Sequence, residues 1–279
     1  MGVHALVFAG GWGAASARRA VEGARDSGYG LVEIPLLDPQ GVDASMTREL
    51  LAECGMAATA SLGLSLEADI NSEDGEVVRR GNELLRAALG ATAQFGASHM
   101  TGVIYSALDK YPSPPTPGAR KNCVESLRSL AAEAADLGVT LGIEAVNRYE
   151  SNLVNTLAQA CELIEDIGAP NVVVHADAYH MHIEEESMQR AVADAGKRLG
   201  YVHIGESHRG YLGSGQCDFD ALFGALRASQ YSGPLVFESF SRKVVDANLS
   251  DRLCVWRDLW DDSDDLAVQA RAYIRERFA

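Results

Sequence analysis

Four apolar runs in the second half of the chain end in, or just beyond, a side chain able to hold a metal or move a proton. They are Glu144 in LGIEAV, Asp177 in VVVHAD, His203 in YVHIG and Glu238 in PLVFES. Three carboxylates gathered without a cation would repel each other and be poorly solvated, and some would have to take up protons. A bound divalent ion removes that difficulty. Two Glu, one Asp and one His make a set of hard oxygens with one imidazole. Such a set suits Mn²⁺, with Co²⁺ or Mg²⁺ as alternatives, better than a closed thiolate zinc site would. Taken singly, each residue has a plainer explanation. An acid at a strand end is commonly a loop or salt-bridge residue, and a lone histidine is commonly a satisfied core residue. Four of them on successive runs point to a metal centre.

Positioning four such ends together requires a particular architecture. The chain alternates short apolar runs with longer amphipathic ones. The strand-like runs are HALVF (4–8), LVEIPL (31–36), AATASLG (57–63), HMTGVIYS (99–106), VTLGIEAV (139–146), VVVHAD (172–177), YVHIGE (201–206) and PLVFES (234–239). Helical patterns lie between them, several closed by glycine at 28, 55, 138 and 168. Strands this apolar are buried on both faces, and the alternation implies parallel pairing. Eight such units predict an α/β fold, a (β/α)8 TIM barrel over residues 1–279 as one domain, with a C-terminal helical extension from residue 248. A doubly wound open sheet is the competing arrangement. A barrel gathers the C-terminal ends of its strands at one mouth, where consecutive strands could bring the four residues together. The proline-rich YPSPPTPG (111–118) reads as a loop within one unit.

The charge balance narrows the partners. Lys and Arg total 24 against 39 Asp and Glu, a formal net charge of −15. That disfavours nucleic acid and anionic membranes, both of which select clustered basic side chains. The uncharged stretch 87–108 is interrupted by polar and glycine residues and reads as a helix end, a turn and a strand. Cys54, Cys123, Cys161, Cys217 and Cys254 are odd in number, scattered and without a CxxC pair. A disulfide framework and a structural zinc site are therefore not expected, and a cytoplasmic location is. The N-terminus lacks the basic start of a signal peptide. GYLGSG (210–215) loosely resembles a phosphate loop but lacks the following Lys-Ser/Thr. His175 lies two residues before Asp177 and reads as a packing or supporting residue. Glu184 to Glu186 read as a solvated helix start, Asp258 to Asp265 as a solvated surface, and Cys217 as the most accessible thiol.

The segments IEAVNRYE (143–150), DAYHMHIEEE (177–186), HIGESHRGYLGSG (203–215) and VFESF (236–240), with SLGLS (61–65) and GVIYSA (102–107), resemble the ketose 3-epimerase family. That group comprises the D-tagatose, D-allulose and L-ribulose 3-epimerases among the xylose-isomerase-like barrels. The resemblance spans nearly the whole chain in the right order. It implies Glu144, Asp177, His203 and Glu238 as metal ligands, with Glu144 and Glu238 also the acid/base pair. It implies Glu150, His180 and Arg209 as substrate contacts. Phe240, His4, Trp12 and Ser61, with Val103 and Leu108, are implied as pocket positions. Ala178 stands where the family has Thr, Leu108 stands where many relatives have Trp, and FAGGWG departs from the family's aromatic-rich start.

What the resemblance implies is inversion of a carbinol carbon beside a ketone. The proton there is weakly acidic, so the enediolate needs a chelating cation and two carboxylates on opposite faces. The expected activity is metal-dependent C3 epimerisation of free ketoses, such as D-fructose/D-allulose, D-tagatose/D-sorbose or L-ribulose/L-xylulose. The alternative is an aldose–ketose or hydroxypyruvate-type isomerase on the same site. A hydrolase or endonuclease on this barrel would need more histidines and a basic track, and a sugar-binding protein would not need the paired glutamates. A homodimer, or a homotetramer built from dimers, is the implied assembly.

Overall fold

The computed structural model describes residues 1–245 and 247–278. Eight parallel strands run in chain order: β1 (Gly2–His4), β2 (Leu31–Pro35), β3 (Ala57–Leu64), β4 (His99–Ala107), β5 (Thr140–Glu144), β6 (Val172–Asp177), β7 (Leu199–Ile204) and β8 (Leu235–Phe237). β8 returns to pair with β1, Gly2 beside Val236, so the sheet closes and no edge is left. This is the expected barrel and excludes the open sheet.

The surrounding helices are α1 (Ala14–Asp26), α2 (Ala44–Cys54), α3 (Gly75–Phe95), α4 (Pro117–Asp136), α5 (Leu157–Ile167), α6 (Ala178–Glu184), α7 (Met188–Ala195) and α8 (Phe219–Ala228). Beyond β8 lie α9 (Ala247–Arg252) and α10 (Ser263–Phe278). Sequence signals set their limits. Asp43 accepts the N–H of Met46 at 2.9 Å to start α2, and Thr156 with Gln159 forms a capping box on α5. Gly55 and Gly168 end those two helices in the left-handed conformation. Buried apolar residues from strands and helices form a main core, including Val32, Ile34, Leu50, Leu85, Leu127 and Leu163, and Leu6, Phe240, Val245 and Val255 form a smaller separate cluster. Among the described residues no helix is long and apolar enough to cross a membrane.

Only β6 keeps its expected limits, and in β1, β7 and β8 the difference bears on the site. The first run stops at His4, because the His4 ring accepts the N–H of Leu6 at 3.1 Å and turns the chain into a short 3-10 helix. β7 begins at Leu199 and ends at Ile204, so His203 lies inside the strand rather than at its tip. β8 ends at Phe237, which leaves Glu238 as the first residue past it.

The acidic runs differ too. Glu184 closes α6 instead of opening a helix, and its side chain is only 7% exposed, because Arg148 grips both carboxylate oxygens at 2.8 and 3.0 Å. In the Asp258 to Asp265 run, Asp262 caps α10, Asp264 pairs with Arg19 and Asp265 accepts from Tyr211, while Asp261 stays almost fully exposed.

The interior of the barrel is not uniformly apolar. Glu33, Thr59, Thr101, His175, Tyr201 and His203 are all buried there, and they support the mouth from below.

Candidate active site

The ends of β5 to β8 converge as their order around the barrel requires. Pairing of β6 with β7 sets Asp177 beside His203, and pairing of β5 with β6 sets Glu144 beside His175. The Nδ1 atom of His203 is the centre of the group. It lies 3.4 Å from a Glu144 oxygen, 3.5 Å from a Glu238 oxygen and 3.8 Å from an Asp177 oxygen. All four side chains are nearly or fully buried.

His203 is oriented by a residue that the sequence reading missed. Glu33, fully buried on β2, faces His203 Nε2 at 2.7 Å and accepts from the Tyr201 hydroxyl at 2.6 Å. An ionised carboxylate only accepts, so Nε2 carries a proton and Nδ1 is the nitrogen left to face the three carboxylates. Among the described residues no hydrogen-bond partner meets that buried Nδ1. Facing three carboxylates, that nitrogen needs either a second proton or a cation in its place, and a His–carboxylate support behind a ligating imidazole is the usual arrangement. The residues present therefore fit a divalent ion, and groups such as Asp177, His203 and Glu238 lie close enough to share one.

Electrostatics agree. Burial, reinforced by the Glu238 and Asp177 carboxylates, raises the Glu144 carboxyl to about 6 against the pull of His203. Burial would also raise Asp177, but Arg209, His180 and His203 outweigh it and hold Asp177 below the usual carboxylate range. Burial would lower His203, yet Glu33 and Glu238 hold it well above an ordinary histidine. These are the marks of a site short of positive charge.

Arg209 supplies one cation. Its Nη1 donates to Glu238 and lies 3.4 Å from Asp177, while its guanidinium sits over the Tyr179 ring at 3.8 Å and the Phe240 ring at 4.9 Å. His180 is held by Asn147, whose backbone and side-chain N–H groups both reach Nδ1, at 3.1 and 2.9 Å. That leaves His180 Nε2 as the donor, 3.7 Å from Asp177 and 3.9 Å from Glu150. Asn147 also fixes Glu150, at 2.7 Å. His4 donates from Nε2 to Ser61 at 3.2 Å and lies 3.4 Å from Glu33.

One cavity collects Glu144, Glu238, His203, Glu150, His180, Arg209, His4, Ser61, Phe240, Val103 and Leu108 along its wall. Trp12 is not part of that wall. Its indole N–H donates to Thr47 at 3.0 Å, which ties the β1–α1 loop to α2. His175 plays the supporting part expected of it, bonded to Thr101 at 2.7 Å beneath Glu144. Cys217 is half-buried with its thiol raised, first by burial, and the exposed thiol is Cys254.

A family model described as "Xylose isomerase-like TIM barrel" matches residues 21–277. The chain is 50% identical over 277 residues to the L-ribulose 3-epimerase of Methylomonas sp. (strain DH-1), covering 99% of this chain and 97% of that one. It is 47% identical over 277 residues to the ketose 3-epimerase of Arthrobacter globiformis, covering 99% and 96%. The crystal structure of D-allulose 3-epimerase from Methylomonas sp. in complex with D-allulose matches with a TM-score of 0.97 at 50% identity, covering 99% of this chain and 96% of that one. Fold and site thus define a xylose isomerase-like barrel. Within that class the chain belongs to the ketose 3-epimerase family, and it is an isomerase.

Proposed function

We propose that this enzyme is a metal-dependent ketose 3-epimerase acting on free ketoses, with L-ribulose and D-allulose, the sugars named in its relatives, as first candidates. The observation that carries the reading is the buried, unpartnered His203 Nδ1 facing Glu144, Asp177 and Glu238. A divalent cation held by those four residues, Mn²⁺ first and Co²⁺ or Mg²⁺ next, would add positive charge at the sugar's C2 and C3 oxygens and so acidify the C3 proton.

Glu144 and Glu238 are the proton carriers in this scheme. They rise from opposite ends of the β5–β8 arc, with Asp177 and His203 between them. One removes the C3 proton and the other delivers a proton to the opposite face, which inverts the carbon and keeps the skeleton. Their surroundings differ. Glu144 is raised to about 6, where it exchanges protons readily near neutrality, while Glu238 is paired with Arg209. His180 and Arg209 orient the C1–O2 end by donating hydrogen bonds, and Glu150 receives the C1 hydroxyl. Among the described residues Arg209 is the one guanidinium or ammonium on the cavity wall and is already paired, which favours a free sugar over a sugar phosphate.

The test is incubation of the Mn²⁺-loaded protein with L-ribulose, D-allulose and D-fructose, followed by NMR of the sugars. Appearance of the C3 epimer is expected. An aldose product would replace epimerisation with isomerisation, and unchanged sugars in every case would overturn both.

A further inference from the structure

The loop 205–217, GESHRGYLGSGQC, has the glycine spacing of a faint phosphate cradle, and its N–H groups do cradle an anion. The anion belongs to the chain. Glu206 is fully buried, and its Oε1 accepts the N–H of Ser207 at 2.8 Å and of Cys217 at 3.1 Å. Its Oε2 accepts the N–H of Gly213 at 2.9 Å, with Gly213 in the left-handed region at φ 79°. Gly215 lies so close that a Cβ there would stand 2.4 Å from Glu206 Oε1. Burial would raise this carboxyl, but the converging N–H groups outweigh it and hold it below its ordinary range.

The loop that folds around Glu206 carries Arg209. Arg209 has φ 63°, a conformation that non-glycine residues adopt only when their surroundings impose it. The imposing contacts are its N–H to the Glu206 carbonyl at 2.8 Å and its own carbonyl, which accepts from the Ser239 hydroxyl. From this turn the guanidinium passes between Tyr179 and Phe240 to Glu238.

We propose that Glu206 is a positioning residue for the epimerisation: its carboxylate is a built-in anion that folds residues 205–217 about itself and so holds Arg209 against Glu238. The inference rests on the reading of Glu238 as a proton carrier given above.

Two variants of the full-length, metal-loaded enzyme test it. Glu206→Gln keeps the shape and one accepting oxygen, but turns an amide NH₂ on the Gly213 N–H. Glu206→Ala leaves a void lined by those donors, which formate can fill. Both variants should lose about 10- to 100-fold in kcat, the scale of a misplaced reacting group. Formate should restore most of the loss in Glu206→Ala, and should leave Glu206→Gln and the parent unchanged. Hydrogen exchange should show the Gly213 amide unprotected in both variants and the Ser207 and Cys217 amides unprotected in Glu206→Ala, with formate restoring protection in Glu206→Ala alone. Parent-like kcat in either variant overturns the proposal, as does a folded Glu206→Ala that formate does not restore. If the parent turns over no ketose, the proposed reaction fails. Hydrogen exchange then judges Glu206 by itself, and unchanged protection of the three amides overturns its role.

Discussion

At Glu144, burial and two neighbouring carboxylates make a negative charge costly. A carboxyl raised in the folded state favours the protonated form, so its cost to stability grows as pH rises from about 4.5 to about 6 and is complete above that. Glu144→Gln should therefore stabilise the metal-free protein by about 2 kcal/mol at neutral pH, measured by denaturant unfolding. The same variant should lose about 10²- to 10⁴-fold in kcat. Cation binding needs Glu144 ionised and His203 free of its Nδ1 proton, so titration calorimetry should show metal affinity falling as pH drops through about 6 and still rising with pH above it. Glu144, Asp177, His203 and Glu238 were legible in sequence because each closes or nearly closes an apolar run. Glu33 was not, because one acid inside LVEIPL reads as a strand with a solvent-facing residue. Only closure of the barrel turns β2 inward onto His203. The direction of Trp12 is not legible for a similar reason, since nothing in FAGGWG sets which way a loop aims its indole.

At the scale of elements, β2 and β7 act as a pair across the barrel interior, through Glu33, Tyr201 and His203. Glu33→Gln removes the charge that holds the imidazole and should weaken metal binding about 10- to 100-fold by calorimetry. Unchanged affinity would show that His203 is held by packing alone. The loop after β5 is tied to α6 by Arg148 and Glu184, and it carries Asn147 and Glu150 to the cavity. Arg148→Ala leaves the buried Glu184 unpaired and loosens that loop. KM should rise a few-fold with kcat little changed, read from steady-state kinetics, since the residues affected bind rather than react. β6 was read to the residue because VVVHAD is bounded by a turn on one side and a helix cap on the other. β1, β7 and β8 shifted by a few residues because their limits are set by side-chain caps and cross-strand register, neither of which leaves a periodicity.

For the whole molecule, the eight alternations already specified a barrel, since the pattern of apolar runs and glycine-stopped helices is a property of the entire chain. The charge of −15 divides into two populations. Residues such as Asp261 lie in water, whereas Glu33, Glu144, Asp177 and Glu238 are packed at the mouth with Arg209 as their guanidinium partner. A ligand that neutralises the second population stabilises the fold. Mn²⁺ at a hundred times its Kd should add about 3 kcal/mol to unfolding, seen as a rise in Tm that chelator reverses. Among these expectations the central one is the division of labour between two glutamates, and deuterium exchange at C3 tests it most directly. Both single variants are compared in D₂O with their metal content verified by elemental analysis. Glu144→Gln should fail to epimerise yet still exchange the C3 hydrogen of one epimer through Glu238, and Glu238→Gln should exchange that of the other epimer through Glu144. Exchange of the same epimer by both variants, or parent-like epimerisation by either, would contradict the two-face scheme.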